Sequence, residues 1–234
     1  VIAGGEHSLL LFSNGSVLAW GSNSDGQLGL PPSCSDAAGH LLQGLPAIVS
    51  VAAGHRHSLA LTADGSVYAW GANVPGQLGD GSLESTWRPT CVLSSRGSER
   101  VVRVAAGRAH SMALLSNGTV MAWGWDAFGQ LGQEEPQGAA LRPRAVALPQ
   151  GVRVCQIAAG GVHSLALDEK GQVWGWGGNG CGQVGEGRVS YSSRPVVVLE
   201  EASSIAAGAS HSLAVARGGL YGWGSNANGE LGDG

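Results

Sequence analysis

Two motifs recur five times in phase along this chain, and that period constrains the fold more than any other feature. Val-Ala-Ala-Gly-His-Arg-His-Ser-Leu-Ala-Leu at 51–61 returns as Val-Ala-Ala-Gly-Arg-Ala-His-Ser-Met-Ala-Leu at 104–114. It recurs at 157–167 and 205–215, and in partial form from Val1. Its histidine falls at His7, His57, His110, His163 and His211, spaced 50, 53, 53 and 48 residues apart. The second motif, Trp-Gly-Ser-Asn-Ser-Asp-Gly-Gln-Leu-Gly at 20–29, reappears at 70–79, 123–132, 176–185 and 223–232. Self-similarity at a fixed period of this length is the signature of solenoids and propellers.

The third unit reads most clearly as strands. Residues 101–106 form a short apolar run ended by Gly107, as in a buried strand. Residues 110–115 make a second strand, Asn117-Gly118 a two-residue type I′ hairpin turn, and 120–123 the returning third strand. After the Gly-Gln-Leu-Gly loop, 142–148 supplies a fourth. Its Pro143 cannot donate to a ladder, which places that strand at an edge. The turn slot holds Asn14-Gly15, Asp64-Gly65, Asn117-Gly118, Lys170-Gly171 and Gly218-Gly219. Four short antiparallel strands per unit, with no helical periodicity in the repeats, predict an all-β fold of β-propeller blades. Unit one departs from the pattern, its outer-strand slot at 36–42 lacking Arg-Pro. Val184 replaces the loop Leu in unit four, and Glu230 replaces the loop Gln in unit five.

These two motifs together resemble the repeat of the regulator of chromosome condensation family, and the resemblance covers essentially the whole chain. It implies a seven-bladed β-propeller. Seven units of this length need ~350 residues, so the chain is expected to be about five repeats of a larger, incomplete propeller. The repeats divide at approximately 1–50, 51–103, 104–156, 157–204 and 205–234, with missing blades or further domains of a longer parent chain as expected neighbours. The resemblance implies protein-binding adaptor modules, with two alternatives: guanine-nucleotide exchange on a Ran-like small GTPase, and ultraviolet perception. The exchange factor relies on a wedge-like insertion that these units do not show. The photoreceptor uses Trp in the loop slot that here reads Glu6, His55-Arg56, Arg108-Ala109, Val162 and Ser210.

Charge narrows the partners. Net charge is −4, with 12 Arg and the single Lys170 scattered and no basic stripe, so direct nucleic-acid binding is not expected. No apolar run is long enough for a membrane span, and no export signal is visible, so a cytoplasmic or nuclear location is the expectation. Cys34, Cys91, Cys155 and Cys181 contain no C-x-x-C pair, which argues against structural zinc and for free, mostly buried thiols. No cofactor is expected.

Five of seven histidines in one repeated slot invite a metal or catalytic reading, but rings spread around a propeller cannot converge on one ion. The expected role is structural, with each ring bonded to backbone. The repeated Trp20, Trp70, Trp123, Trp176 and Trp223 are expected to pack between blades. Asn14-Gly-Ser and Asn117-Gly-Thr match glycosylation sequons but already serve as turns. No catalytic set stands out, so the chain reads as a non-enzymatic scaffold. What the repeat leaves free is the pair of loops on one face of each blade. There, units two and three gather Arg56, Arg108, Trp125 and Phe128, with Trp87 and Arg88 entering the outer strand nearby. Arg and aromatics are enriched at binding hot spots, which makes these six the candidate protein-binding residues.

Overall fold

The structure, a computed structural model, describes residues 1–34, 39–95, 99–187 and 189–233. The strands form five antiparallel sheets in chain order. The first holds β1 (Ile2–Ala3), β2 (His7–Leu11), β3 (Val17–Gly21) and β4 (His40–Leu41). The second holds β5 (Ile48–Ala53), β6 (His57–Thr62), β7 (Val67–Gly71) and β8 (Thr86–Leu93). The third is β9 (Val101–Ala106), β10 (His110–Leu115), β11 (Val120–Asp126) and β12 (Gly138–Ala145). The fourth is β13 (Val154–Ala159), β14 (His163–Asp168), β15 (Val173–Gly178) and β16 (Tyr191–Leu199). Strands β17 (Ala202–Ala207), β18 (His211–Ala216) and β19 (Gly219–Gly224) make the fifth.

Each sheet is a meander whose innermost strand lies beside that of the next sheet. The five blades form an arc that does not close. Val215, Leu220 and Tyr221 on the fifth sheet stay exposed, with no blade against them among the described residues. The all-β propeller reading therefore holds. Pro143 and Pro195 lie on the outer strands β12 and β16, where a missing N–H leaves no gap in the ladder. The third unit's outer strand runs Gly138–Ala145, earlier than expected. In unit one the expected slot partly lies outside the described residues, and only His40–Leu41 pairs.

Three local expectations need correction. The first concerns the hairpin turns. Gly15, Gly65, Gly118 and Gly171 have φ between +81° and +91°, but the Asn, Asp or Lys before each does not have positive φ. Phe12 N–H donates to Ser16 O and Gly15 N–H to Phe12 O, with the same pairings in units two to four. These are three-residue loops with a left-handed glycine, not type I′ turns. The Asn and Asp earn their place differently: Asn14, Asp64 and Asn117 accept the N–H two residues on through Oδ1, at 2.9–3.1 Å. Only unit five has the two-residue form, at Arg217-Gly218, where both φ are positive.

The second correction concerns the cysteines, which are free but exposed. Cys34 and Cys181 sit in loops, Cys91 on an outer strand, and Cys155 at a bulge between Val154 and Gln156. The third concerns the histidines. The rings of His7, His57, His110 and His163 are buried and that of His211 is half-buried, but the partners of the first four are serine hydroxyls on the next blade. His7 Nε2 lies 2.8 Å from Ser58 Oγ, His57 2.9 Å from Ser111, His110 3.0 Å from Ser164 and His163 2.8 Å from Ser212.

That serine completes a junction built four times. Ser58 donates its hydroxyl to the Gln27 carbonyl of the preceding blade, as Ser111 does to Gln77, Ser164 to Gln130 and Ser212 to Gln183, at 2.7–2.9 Å. The same carbonyls accept the indole N–H of Trp70, Trp123, Trp176 and Trp223, each at 2.9 Å. A hydroxyl has one proton, and here the carbonyl takes it. The serine oxygen must therefore accept, so each histidine carries its proton on Nε2. Nδ1 of these four rings meets no donor, as a bare lone pair would. The indoles also fill the apolar seams between blades: Trp70 packs with Leu9, Leu28 and Val17 of the first blade, and Trp123 with Leu59, Leu78 and Val67 of the second.

Two glycines of the second motif answer to this packing. A Cβ at Gly124, where φ is +97°, would stand 2.6 Å from the Ala109 carbonyl. One at Gly26 would stand 2.6 Å from Trp87 Cβ, because the next blade's outer strand crosses the loop there. Neither site has room for a side chain.

Burial lowers the pKa of His7 and His163 to about 4, and of His57 and His110 to about 3. These folded values lie below the unfolded value near 6.5, so the unfolded chain binds more protons between them, and stability falls as pH drops from ~6.5 toward 4. His110→Gln, although less stable at neutral pH, should show a shallower fall by about one proton, or ~1.4 kcal/mol per pH unit. Urea titrations between neutral pH and pH 5 measure both slopes, and equal slopes would contradict the assignment.

Candidate functional site: the loop face of the blades

Each blade brings two loops to one end, and a backbone bond holds them together. The residue after Trp-Gly donates its N–H to the carbonyl just before the repeat histidine: Ser22 to Glu6, Ala72 to Arg56, Trp125 to Ala109, Gly178 to Val162 and Ser225 to Ser210, all at 2.8 Å. The longer loop is then pinned from inside. Asn23, Asn73, Asp126, Asn179 and Asn226 accept the N–H five residues on through Oδ1, at 2.9–3.0 Å. In units one, two and four the amide also donates to loop carbonyls.

Asp126 lies on the same loop between the candidates Trp125 and Phe128, but it is not free to meet a partner. It is buried, and its second oxygen accepts Gln137 N–H at 3.0 Å, replacing the amide's donations with an acceptance. Burial raises its pKa. The unit-five departure also resolves. Glu230 accepts Asn228 N–H at 2.8 Å, as Gln27 accepts Asp25, Gln130 accepts Phe128 and Gln183 accepts Cys181. In unit two the matching donor would be the nitrogen of Pro75, which has no hydrogen, and Gln77 Oε1 is buried without a partner.

The six candidate residues separate into two groups. Arg56, Trp87 and Arg88 lie at the junction of blades one and two. Arg56 is exposed but bound: its guanidinium stands 2.8 Å from Glu6 and 3.6 Å from Asp25, both on blade one. The hydrogen bond from Arg56 holds the Glu6 carboxyl below its usual range. The sequence places Glu6 in a loop slot, but its pairing with Arg56 needs blade-to-blade geometry. Trp87 is half-buried against the Gly26 loop, and the Arg88 guanidinium stacks over its ring at 4.8 Å.

The second group belongs to blade three. Trp125 is half-buried and belongs to none of the apolar clusters, and Phe128 is 39 % exposed. Their rings meet edge to face, with centroids 5.4 Å apart. Arg108 is exposed and has no ion pair among the described residues. Its neighbour Ala109 accepts the Trp125 N–H. Arg108 also borders a cavity of about 600 Å³ on the concave side of the arc, walled by the Ala-Ala-Gly ends of the innermost strands. Among the described residues, His55 and Arg108 are the only ionisable ones on that wall. Among the described residues no cluster of His, Cys, Asp or Glu could hold a metal ion.

Comparison with known proteins agrees with this architecture. The family model of the RCC1-like domain matches residues 1–234. The human E3 ubiquitin-protein ligase HERC2 is 36% identical over 223 residues, covering 92% of this chain and 5% of the ligase. The Arabidopsis thaliana ultraviolet-B receptor UVR8 is 34% identical over 221 residues, covering 92% of this chain and 50% of the receptor. The crystal structure of human WBSCR16 superposes with a TM-score of 0.87 at 30% identity, covering 98% of this chain and 62% of that one. The chain thus spans half or less of the two curated relatives' lengths.

The two tryptophans of blade three should separate in thermal melts. Trp123→Ala truncates a fully buried indole and its bond to Gln77, and should cost roughly 3–5 kcal/mol. Trp125→Ala removes a half-buried ring outside the apolar clusters and should cost roughly 1 kcal/mol or less. Equal losses would make Trp125 a core residue and remove it from the site.

Proposed function

This chain belongs to the RCC1-like domain family, and we propose that it acts as a non-enzymatic interaction domain that binds a protein partner through the loop face of its blades. The observation that carries the reading is how the polar groups of the repeat are used. The histidine, serine and tryptophan of each junction, and the glutamine carbonyl they converge on, are bonded to one another across the blades. They are therefore occupied in holding the arc together. The ring nitrogen that stays free is buried. The side chains left over on the loop face include Arg88, Arg108, Trp125 and Phe128, of the types that dominate binding hot spots. A rigid arc with loops that differ from blade to blade also suits recognition, because the strands hold the loops in place while their residues vary.

The test is affinity purification with quantitative mass spectrometry on wild type, on alanine variants of Arg88, Arg108, Trp125 and Phe128, and on Asn117→Ala. Proteins retained by wild type should be lost from Trp125→Ala and kept by Asn117→Ala, which alters an exposed hairpin turn away from the two loops. A set of bound proteins indifferent to Trp125, Phe128, Arg108 and Arg88 would contradict the loop-face reading.

A further inference from the structure

Two loop-face arginines, Arg56 and Arg108, differ in what faces them. Arg56 is neutralised by Glu6 and Asp25. Arg108, one blade further on, has no carboxylate within ion-pair reach among the described residues. It borders a cavity whose wall, among the described residues, carries no carboxylate, only glycine, alanine, Val162, Ser210 and His55 besides itself. An arginine's charge is permanent, and where it lacks an internal counter-ion it is available to an external one. Beside it, joined through the Trp125 N–H to Ala109 O bond, stands the edge-to-face pair of Trp125 and Phe128. One unpaired cation next to one exposed aromatic pair is a composite surface.

We propose that blade three is the recognition centre of this domain and that its partner presents an acidic peptide segment. One Asp or Glu carboxylate pairs with Arg108 at the mouth of the concave cavity, and an adjacent apolar side chain packs on Trp125 and Phe128. This deepens the interaction reading above and rests on it. The ligand is a carboxylate because a single planar guanidinium matches one carboxylate through two parallel hydrogen bonds. Phosphate-reading sites gather several arginines, whereas here Arg56 is already paired and Arg88 stacks on Trp87 at the junction of blades one and two. The small residues of the cavity wall leave the carboxylate's approach open. The Trp125 and Phe128 rings supply apolar area with few torsions to freeze, which keeps the entropic cost of binding low.

The experiment is selection of a random linear peptide library displayed on phage against the immobilised chain, followed by affinity measurements on synthetic copies of the enriched peptides. The enriched pool should be rich in Asp or Glu next to a large apolar residue. Arg108→Ala should weaken those peptides by about tenfold or more, and Arg108→Glu should abolish binding. Arg153→Ala, which breaks an exposed ion pair with Glu169 beside the hairpin turns, should change affinity by less than about fivefold. Arg108 is exposed, so melts of its variants should match wild type and exclude unfolding as the cause. A pool without acidic bias, or acidic peptides that bind Arg108→Ala as well as wild type, overturns the proposal. So does a selection that enriches nothing. If non-acidic peptides are enriched and still need Trp125, the acidic class falls while the interaction reading stands.

Discussion

The structure depends on one carbonyl per blade. The backbone oxygen of Gln27, Gln77, Gln130 or Gln183 accepts a serine hydroxyl and an indole N–H from the next blade, and the serine in turn accepts from a histidine on the blade that owns the carbonyl. Each such bond contributes only about 1 kcal/mol net, but leaving a buried partner unmade costs about 1–3 kcal/mol. The four groups thus stand or fall together, and a change at one strands the others in a dry seam. This is why histidine, serine and tryptophan recur at fixed offsets in every unit without any of them having to perform chemistry, while the glutamine lends its backbone carbonyl to the junction and, in three of the four junctions, its side chain to the loop. It also explains the burial of the histidines: a neutral ring with its proton on Nε2 suits a site that would have to be paid for dearly if the ring were charged.

With the repeat residues committed to the junctions, the two loops of each blade are held rigidly by groups that do not vary in role. The Asn or Asp bracket and the bond to the carbonyl before the histidine fix the loop backbone. What differs between blades is then a side-chain matter. Blade two offers an arginine already balanced by blade one's acids. Blade three offers an unbalanced arginine, a tryptophan and a phenylalanine. Similar loops on the same scaffold thus differ in what they leave available to a partner.

Much of this was legible in the sequence. The period, the strand count, the outer-edge prolines and the packing of Trp70, Trp123 and Trp176 between blades follow from local pattern, because they depend on neighbours within one unit or on bulk apolar area. What was not legible depends on contacts between units. The histidine's partner is a serine roughly one repeat away, and backbone was the default expectation for a buried polar ring. Arg56 reads as a free charge until blade one is placed beside it. Asp126 reads as a loop variable because its bracket role needs Gln137 to arrive from the far end of the loop. The turn type was misread for a different reason. Asn-Gly supports both a two-residue and a three-residue hairpin, and here the Asn is used for its side-chain oxygen, not for a left-handed backbone.

The junction's defining feature is where each histidine keeps its proton, and nitrogen-15 NMR of the histidine rings reads that directly. The account predicts that His57 and His110 show a protonated Nε2 and a bare Nδ1, with shifts that stay constant from neutral pH down to the onset of acid unfolding. A proton on Nδ1, or a ring titrating near pH 6.5 in the folded protein, would contradict it.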